Sequence, residues 1–136
     1  MAYSVQYDKS ARRHFAAAEL LNHAVDRSVQ RGGVDGYLYG IAAECALKQI
    51  MRNSGMTPDP KSRKGDPFYA HFPDLKTLIG DNASGRRSGE LRAFSDNRHL
   101  MAEWSTDMRY APARDIPGRL VQQWKDDAHK LIDLMG

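Results

Sequence analysis

The chain has only one cysteine, Cys45, among its 136 residues, which excludes an internal disulfide bond. It has no apolar run near the roughly 20 residues that a membrane-spanning helix needs, so no transmembrane segment is expected. No segment alternates apolar and polar residues with the period of two that is typical of a strand. The N-terminal residues match neither a signal peptide nor an Arg-rich transit sequence. These absences predict a cytoplasmic protein without strands.

What remains is an ordinary globular composition, with 41% hydrophobic and 27% charged residues. A chain of this length has room for one hydrophobic core, so residues 1–136 are predicted to form a single domain. The formal net charge is +3 and the pI is about 9.1. This mildly basic balance is a weak indication of a polyanionic partner.

Apolar residues recur at helical spacing in five segments, and the predicted helices cover residues 7–29, 34–53, 73–79, 89–106 and 118–134. The pair Gly32-Gly33 is expected to end the first helix and Gly80 the third. The second helix is apolar on nearly every face, which places it at the centre of a bundle. The predicted fold class is all-α, a four-to-five helix up-and-down bundle.

Two predicted loops carry most of the clustered positive charge. The first, residues 54–70, is long for a compact domain and is therefore either functional or mobile. The second covers residues 80–88. Together they contain five candidate nucleotide- or RNA-binding residues, namely Lys61, Arg63, Lys64, Arg86 and Arg87. Such residues either keep a loop solvated or contact phosphate, and the sequence leaves both readings open.

Four stretches resemble the HEPN superfamily (higher eukaryotes and prokaryotes nucleotide-binding) in their order and spacing. They are residues 13–21, residues 40–48, the His-Phe-Pro-Asp-Leu at 71–75 and the Asp-Met-Arg-Tyr at 107–110. The resemblance covers about residues 7–134. It implies a nucleotide- or RNA-interacting module, commonly a homodimer. It also suggests a toxin–antitoxin or defence system, with an antitoxin or a nucleotidyltransferase as partner protein. His14, His23, His71 and His129 show no ligand spacing with each other, so no metal site is predicted, and no cofactor is expected.

Many HEPN proteins are metal-independent ribonucleases whose signature is an Arg followed, after four to six residues, by a His. Arg92 and His99 meet the outer limit of this spacing, although Ala93 stands where the family often has a polar residue. On one continuous helix these two side chains would point the same way, with Asp96 between them. His99 would then deprotonate a ribose 2′-hydroxyl and Arg92 would stabilise the phosphoryl charge, giving a 2′,3′-cyclic phosphate.

Two further features each allow a functional and a structural interpretation. Glu44 is the exceptional charge on the apolar second helix, so its carboxylate must be paired or face a cleft, and a structural salt bridge is favoured over catalysis. Arg109 and Tyr110 would hold a phosphate and stack on a base in the functional reading. In the favoured structural reading, Arg109 pairs with Glu44 and Tyr110 packs at the end of the bundle.

The sequence therefore supports three functional hypotheses. The first is a HEPN-like module that interacts with a nucleotide or RNA. The second is a metal-independent endoribonuclease. The third is a protein-binding subunit that partners a nucleotidyltransferase.

Overall fold

A computed structural model describes residues 3–24 and 33–136 of the chain. Within these residues it contains five α-helices and three short 3₁₀ turns and no strands. The helices are α1 (Tyr7–Asn22), α2 (Val34–Asn53), α3 (Asp74–Asn82), α4 (Ser88–Asp96) and α5 (Gly118–Met135). The 3₁₀ turns are Pro67–Tyr69, Thr106–Tyr110 and Ala113–Asp115.

Helix α2 is the centre of the bundle, with α1 and α5 packed along it. The Tyr39 hydroxyl of α2 donates to Glu19 near the end of α1, while Cys45 contacts Ser10 near its start, so α1 and α2 are antiparallel. Asn53 at the end of α2 donates to the Met135 carbonyl at the end of α5, so α2 and α5 run in the same direction. The order of the helices thus places both chain-terminal helices against the central one.

The central position of α2 follows from its sequence. Twelve of its 20 residues are buried, because apolar or small side chains occur on almost every face. Gly36 and Gly40 allow the indole rings of Trp124 and Trp104 to approach the helix backbone, since a Cβ atom at either glycine would overlap a ring. The Trp104 indole also donates a hydrogen bond of 3.1 Å to the Gly36 carbonyl.

Helix α2 occupies the predicted range 34–53 and α5 differs from its prediction by one residue at its end. Helix α1 ends at Asn22, and the remainder of its predicted range from residue 25 lies outside the described residues. Gly33, the described residue of the pair predicted to end α1, is instead the N-terminal cap of α2 with φ of 84°, and Gly32 lies outside the described residues. A left-handed backbone of this kind is open to glycine at either end of a helix.

Helices α3 and α4 form an antiparallel pair whose limits differ from the prediction. Gly80 does not stop α3, which continues to Asn82. Because Gly80 has no side chain, Ser95 of α4 can lie close to the backbone of α3. The Ser95 hydroxyl donates a hydrogen bond to the Lys76 carbonyl of α3. Glycine at this position therefore serves the packing of two helices rather than the end of one.

Helix α4 ends at Asp96, so the predicted continuous helix over residues 89–106 is wrong. On one helix Leu100 would lie about 120° from Phe94. The break lets both side chains enter the core, together with Met101 and Trp104. The freed backbone groups find new partners, because Lys76 donates to the Asn97 and Leu100 carbonyls and the buried Asp127 accepts from Met101 N–H.

The structure confirms the predicted all-α helical bundle, because the described residues form five α-helices and no strands. Helices in the described part of the chain are all too short or too polar to cross a bilayer.

Candidate nucleic-acid interface

Ser54, the residue that follows α2, connects the two basic loops. Its carbonyl accepts from Arg86 N–H at 3.1 Å and its hydroxyl oxygen accepts from Arg87 N–H at 2.9 Å. The same hydroxyl donates to the Ser84 carbonyl at 2.6 Å. Ser54 is only 3% exposed, so these bonds are shielded from water. Two loops about 30 residues apart in sequence are thereby brought to one end of the bundle.

An open cavity of about 430 Å³ lies between these loops, and we call it the two-loop cavity. Its floor includes the buried Phe68 and Pro67. Its walls carry neutral polar side chains and one lysine, contributed by Thr57, Ser62, Lys64, Asn82 and Ser84. Seven of its twelve lining residues are polar or charged, so the cavity suits a hydrated, polar ligand rather than an apolar one.

The two acidic residues that line the cavity are engaged with backbone N–H groups. Asp66 accepts from Asp59 N–H at 2.6 Å and from Phe68 N–H at 2.9 Å, while Asp59 accepts from Lys61 N–H at 3.0 Å. These bonds fix the fold of the first loop, and the basic side chains of Lys61, Arg63 and Lys64 are exposed. Both carboxylates of the lining therefore have a structural role in the loop, while its basic side chains point into solvent.

Arg87 differs from the other four predicted binding residues. Its guanidinium forms a two-point ion pair with Glu90, at 2.8 and 2.7 Å, and donates to the Leu134 carbonyl at 3.0 Å. These contacts join α4 to the end of α5. Arg87 is thus a structural residue, whereas Arg86 is exposed beside the cavity residue Ser84.

Arg109 and Tyr110 lie at the opposite end of α2, and the structural reading favoured for them is wrong. The Arg109 guanidinium lies over the Tyr37 ring at 5.6 Å and over the Tyr110 ring at 5.3 Å, and it does not pair with Glu44. Tyr110 is 81% exposed rather than packed into the bundle. On its inner side Tyr37 stacks on Trp104 at 5.7 Å, so the exposed pair is held by a stack that begins in the core.

Glu44 has the partners that its buried position requires. Its carboxylate, 3% exposed, accepts from the His71 imidazole and from Phe72 N–H, both at 2.8 Å. The favoured reading of a paired structural carboxylate is supported, but the partner is His71 rather than Arg109. The sequence indicated that a partner was needed, because the charge stands on an apolar helix. Nothing in the local pattern identified a histidine 27 residues away.

A buried ammonium lies one helical turn beyond this carboxylate. Lys48 is 8% exposed, and its pKa is lowered by burial, an effect that the Glu44 carboxylate partly offsets. Burial likewise raises the pKa of Glu44, against the opposing effect of its hydrogen bonds with His71 and Phe72. Glu44 is therefore the main favourable charge for Lys48 as well as the acceptor for His71.

The raised pKa of Glu44 predicts a specific pH dependence of stability. Between the ordinary pKa near 4.5 and the higher folded value, the folded chain holds a proton that the unfolded chain has lost. The contribution of this group to the free energy of unfolding is therefore full below pH 4.5 and falls as the pH rises through the folded pKa. Urea unfolding of the parent and of Glu44→Gln between pH 4 and 8 measures it. The stability difference between the two should change with pH, and a constant difference would contradict the assignment.

The predicted catalytic residues Arg92, Asp96 and His99 do not share one helix. Arg92 lies in α4 and donates to the Ala83 carbonyl at the end of α3 at 3.1 Å. His99 lies beyond the end of α4, in a shallow groove of about 350 Å³ with Glu103, Arg119 and Gln123. All three predicted residues are exposed. The helical-face argument that paired them no longer applies, and their catalytic role stays a prediction without geometric support.

The class of protein that these observations define is a small all-α bundle with a cavity between two basic loops at one end and an exposed Arg–Tyr stack at the other. Comparisons with protein-family models, curated proteins and solved structures give no significant match to this chain. The resemblance to HEPN domains therefore stays a prediction from the sequence motifs.

Proposed function

We propose that the protein is a nucleotide- or RNA-interacting module and that the two-loop cavity is its principal phosphate-binding site. The observation that carries the proposal is the joining of two separately predicted basic loops by Ser54 around one cavity. Lys64 lines the cavity and Arg86 is exposed two residues after the lining residue Ser84, so these two provide the nearest positive charge. Thr57, Ser62 and Asn82 provide neutral polar groups.

The exposed basic side chains of the two loops support this proposal, namely Lys61, Arg63, Lys64 and Arg86. They outnumber the two aspartates of the lining, Asp59 and Asp66, whose carboxylates stay negative while they accept backbone N–H hydrogen bonds. Contacts between phosphates and exposed Lys and Arg residues release counterions and give an affinity that falls with salt. The resemblance to HEPN domains is independent support from the sequence, and the expected homodimer is part of the same proposal.

Charge reversal at the cavity should weaken binding of RNA. In Lys64→Glu/Arg86→Glu, two phosphate contacts are replaced by repulsion, so the affinity for a fluorescently labelled six-nucleotide RNA should fall by about tenfold or more at 50 mM salt. The plot of log affinity against log salt should also become shallower, by roughly 0.7 for each lost contact. Fluorescence anisotropy across a range of salt concentrations measures both quantities.

The matched control is Arg98→Glu/Arg119→Glu, which makes the same change of net charge at two exposed positions. Arg98 follows α4 at the end of the α3–α4 pair that is remote from Asn82 and the cavity. This variant should keep most of the affinity. An equal loss in both variants would show that only net charge matters, and the cavity proposal would then fail.

A cleavage assay on the same RNA distinguishes the endoribonuclease hypothesis from the binding module. RNA is incubated with the parent and with His99→Ala in excess EDTA, and the products are separated by size. Cleavage by the parent alone would establish the enzyme, whereas intact RNA with both proteins would leave the binding module. Absence of any RNA affinity at low salt would favour the protein-partner hypothesis.

A further inference from the structure

Two Arg–Tyr stacks are present in the described residues, one near each end of α2. Arg109 covers Tyr37 and Tyr110 near the start of the helix. Arg63 lies over the Tyr69 ring at 5.0 Å near the two-loop cavity. The second stack was not expected from the sequence, because the two residues are separated by six positions within an irregular loop.

The geometry of α2 relates the two stacks. Tyr37 and Glu44 are seven residues apart, so their side chains point within about 20° of each other, and they are separated by roughly 10 Å along the axis. His71 is bonded to Glu44, so its imidazole lies at this second position on the same side of the helix. The Arg109 stack and His71 are therefore neighbours along one face.

The chain from Phe68 to Phe72 continues this face toward the cavity. Phe68 and Phe72 are buried, while Tyr69 is 39% exposed and the His71 side chain 56%. Ala70 between them is partly buried and has an extended backbone. Tyr69 ends the 3₁₀ turn and His71 follows it by two residues, so these two exposed side chains start from Cα atoms no more than about 7 Å apart.

These residues define a line that we call the aromatic track: Tyr110, Arg109, Tyr37, His71, Tyr69 and Arg63. Its length from Tyr37 to Tyr69 is about 17 Å, and at 3.4 Å per stacked nucleotide this corresponds to about five nucleotides. Lys64, the residue after Arg63, lines the two-loop cavity, so the track leads directly into it.

Flat side chains that alternate with cations are the means by which proteins bind single strands without reading sequence, because every base has a face that stacks. A duplex conceals these faces. A mononucleotide could occupy the cavity but could not reach Tyr110. The track therefore adds a length requirement that the cavity alone does not have.

We infer that the ligand is a single-stranded nucleic acid of about five or more nucleotides, which lies along the aromatic track with one phosphate end in the two-loop cavity. This inference rests on the proposed function of that cavity. The inference specifies a single-stranded ligand, because its bases can stack on Tyr110 and Tyr69. A mononucleotide or a duplex cannot make both of these contacts and should bind more weakly.

The test is the dependence of affinity on oligonucleotide length. Uridine monophosphate, the dinucleotide and oligouridylates of four, six and eight nucleotides are titrated at one salt concentration. The affinity should rise by about tenfold or more between the dinucleotide and the hexanucleotide and then level off, because each stacked base contributes strongly to binding. A hexanucleotide without bases, and a duplex of the same length, should not show the rise.

The double variant Arg109→Ala/Tyr110→Ala should lose most of the rise in affinity with length, while its affinity for the dinucleotide stays unchanged. The single variant Tyr110→Phe keeps the ring and Arg109, so it should keep the rise. Both residues are exposed, so the fold should be retained, which circular dichroism during thermal unfolding verifies. Equal affinity for the dinucleotide and the hexanucleotide would contradict the inference that nucleic acid binds along the aromatic track, but not the proposed phosphate binding in the cavity. No binding of any oligonucleotide would overturn both.

Discussion

Replacing Glu44 with alanine should lower the free energy of unfolding by about 3–5 kcal/mol, because it removes one partner from a buried network of charged and polar groups. The substitution leaves Phe72 N–H and the inward N–H of His71 without an acceptor. It also leaves the Lys48 ammonium, 8% exposed, without its main favourable charge. Urea unfolding at pH 7, monitored by circular dichroism, measures the loss.

Two comparisons make this prediction specific to the network. Glu90→Ala removes a carboxylate whose pair with Arg87 is partly exposed, and should cost no more than about 1 kcal/mol. Lys48→Met removes the buried charge while keeping an unbranched apolar side chain, so in the Glu44→Ala background it should recover about 1 kcal/mol or more. A loss at Glu44→Ala no larger than that at Glu90→Ala would contradict the account.

The second large effect is expected at Gly40, where alanine should lower the free energy of unfolding by about 3 kcal/mol. The added Cβ would overlap the Trp104 indole, which is 1% exposed. This ring cannot move aside easily, because it lies between Tyr37 and Phe72 and donates to the Gly36 carbonyl. The same urea measurement shows the effect as a lower midpoint with an unchanged slope.

Gly89→Ala is the matched control for this substitution. Gly89 lies in α4 with open space around the position of its Cβ atom, so alanine should raise stability by up to about 1 kcal/mol through its better helix propensity. Combining Gly40→Ala with Trp104→Phe should cost less than the two single losses together, since the smaller ring makes room for the methyl group. If Gly40→Ala were as stable as the parent, the contact between Gly40 and the Trp104 ring would not be tight.

The helices with the clearest periodicity could be predicted closely from the sequence. The central helix has apolar residues on nearly every face and α5 has one wide apolar stripe, and both patterns are set by local spacing. The end of α4 could not be predicted this way. It depends on Lys76 and Asp127, two side chains distant in sequence that satisfy the backbone groups released by the break.

The candidate site could likewise be predicted only in part from the sequence. Charge clustering indicated the two loops separately, but their meeting depends on the buried hydroxyl of Ser54, a residue without any distinguishing local pattern. Charge alone also could not separate Arg86 from Arg87, because the difference is the ion pair of Arg87 with Glu90. The pairing of Arg92 with His99 assumed a helix that tertiary packing interrupts.

The central claim, that the two-loop cavity contacts nucleic acid, is tested most directly by mapping backbone amide chemical shifts of the ¹⁵N-labelled protein during titration with a six-nucleotide RNA. The account predicts the largest changes at the amides of Thr57, Lys64, Gly65 and Ser84, with smaller changes at Tyr69 and Tyr110. Changes confined to the groove around His99 and Arg119, or no change at saturating RNA in low salt, would contradict it.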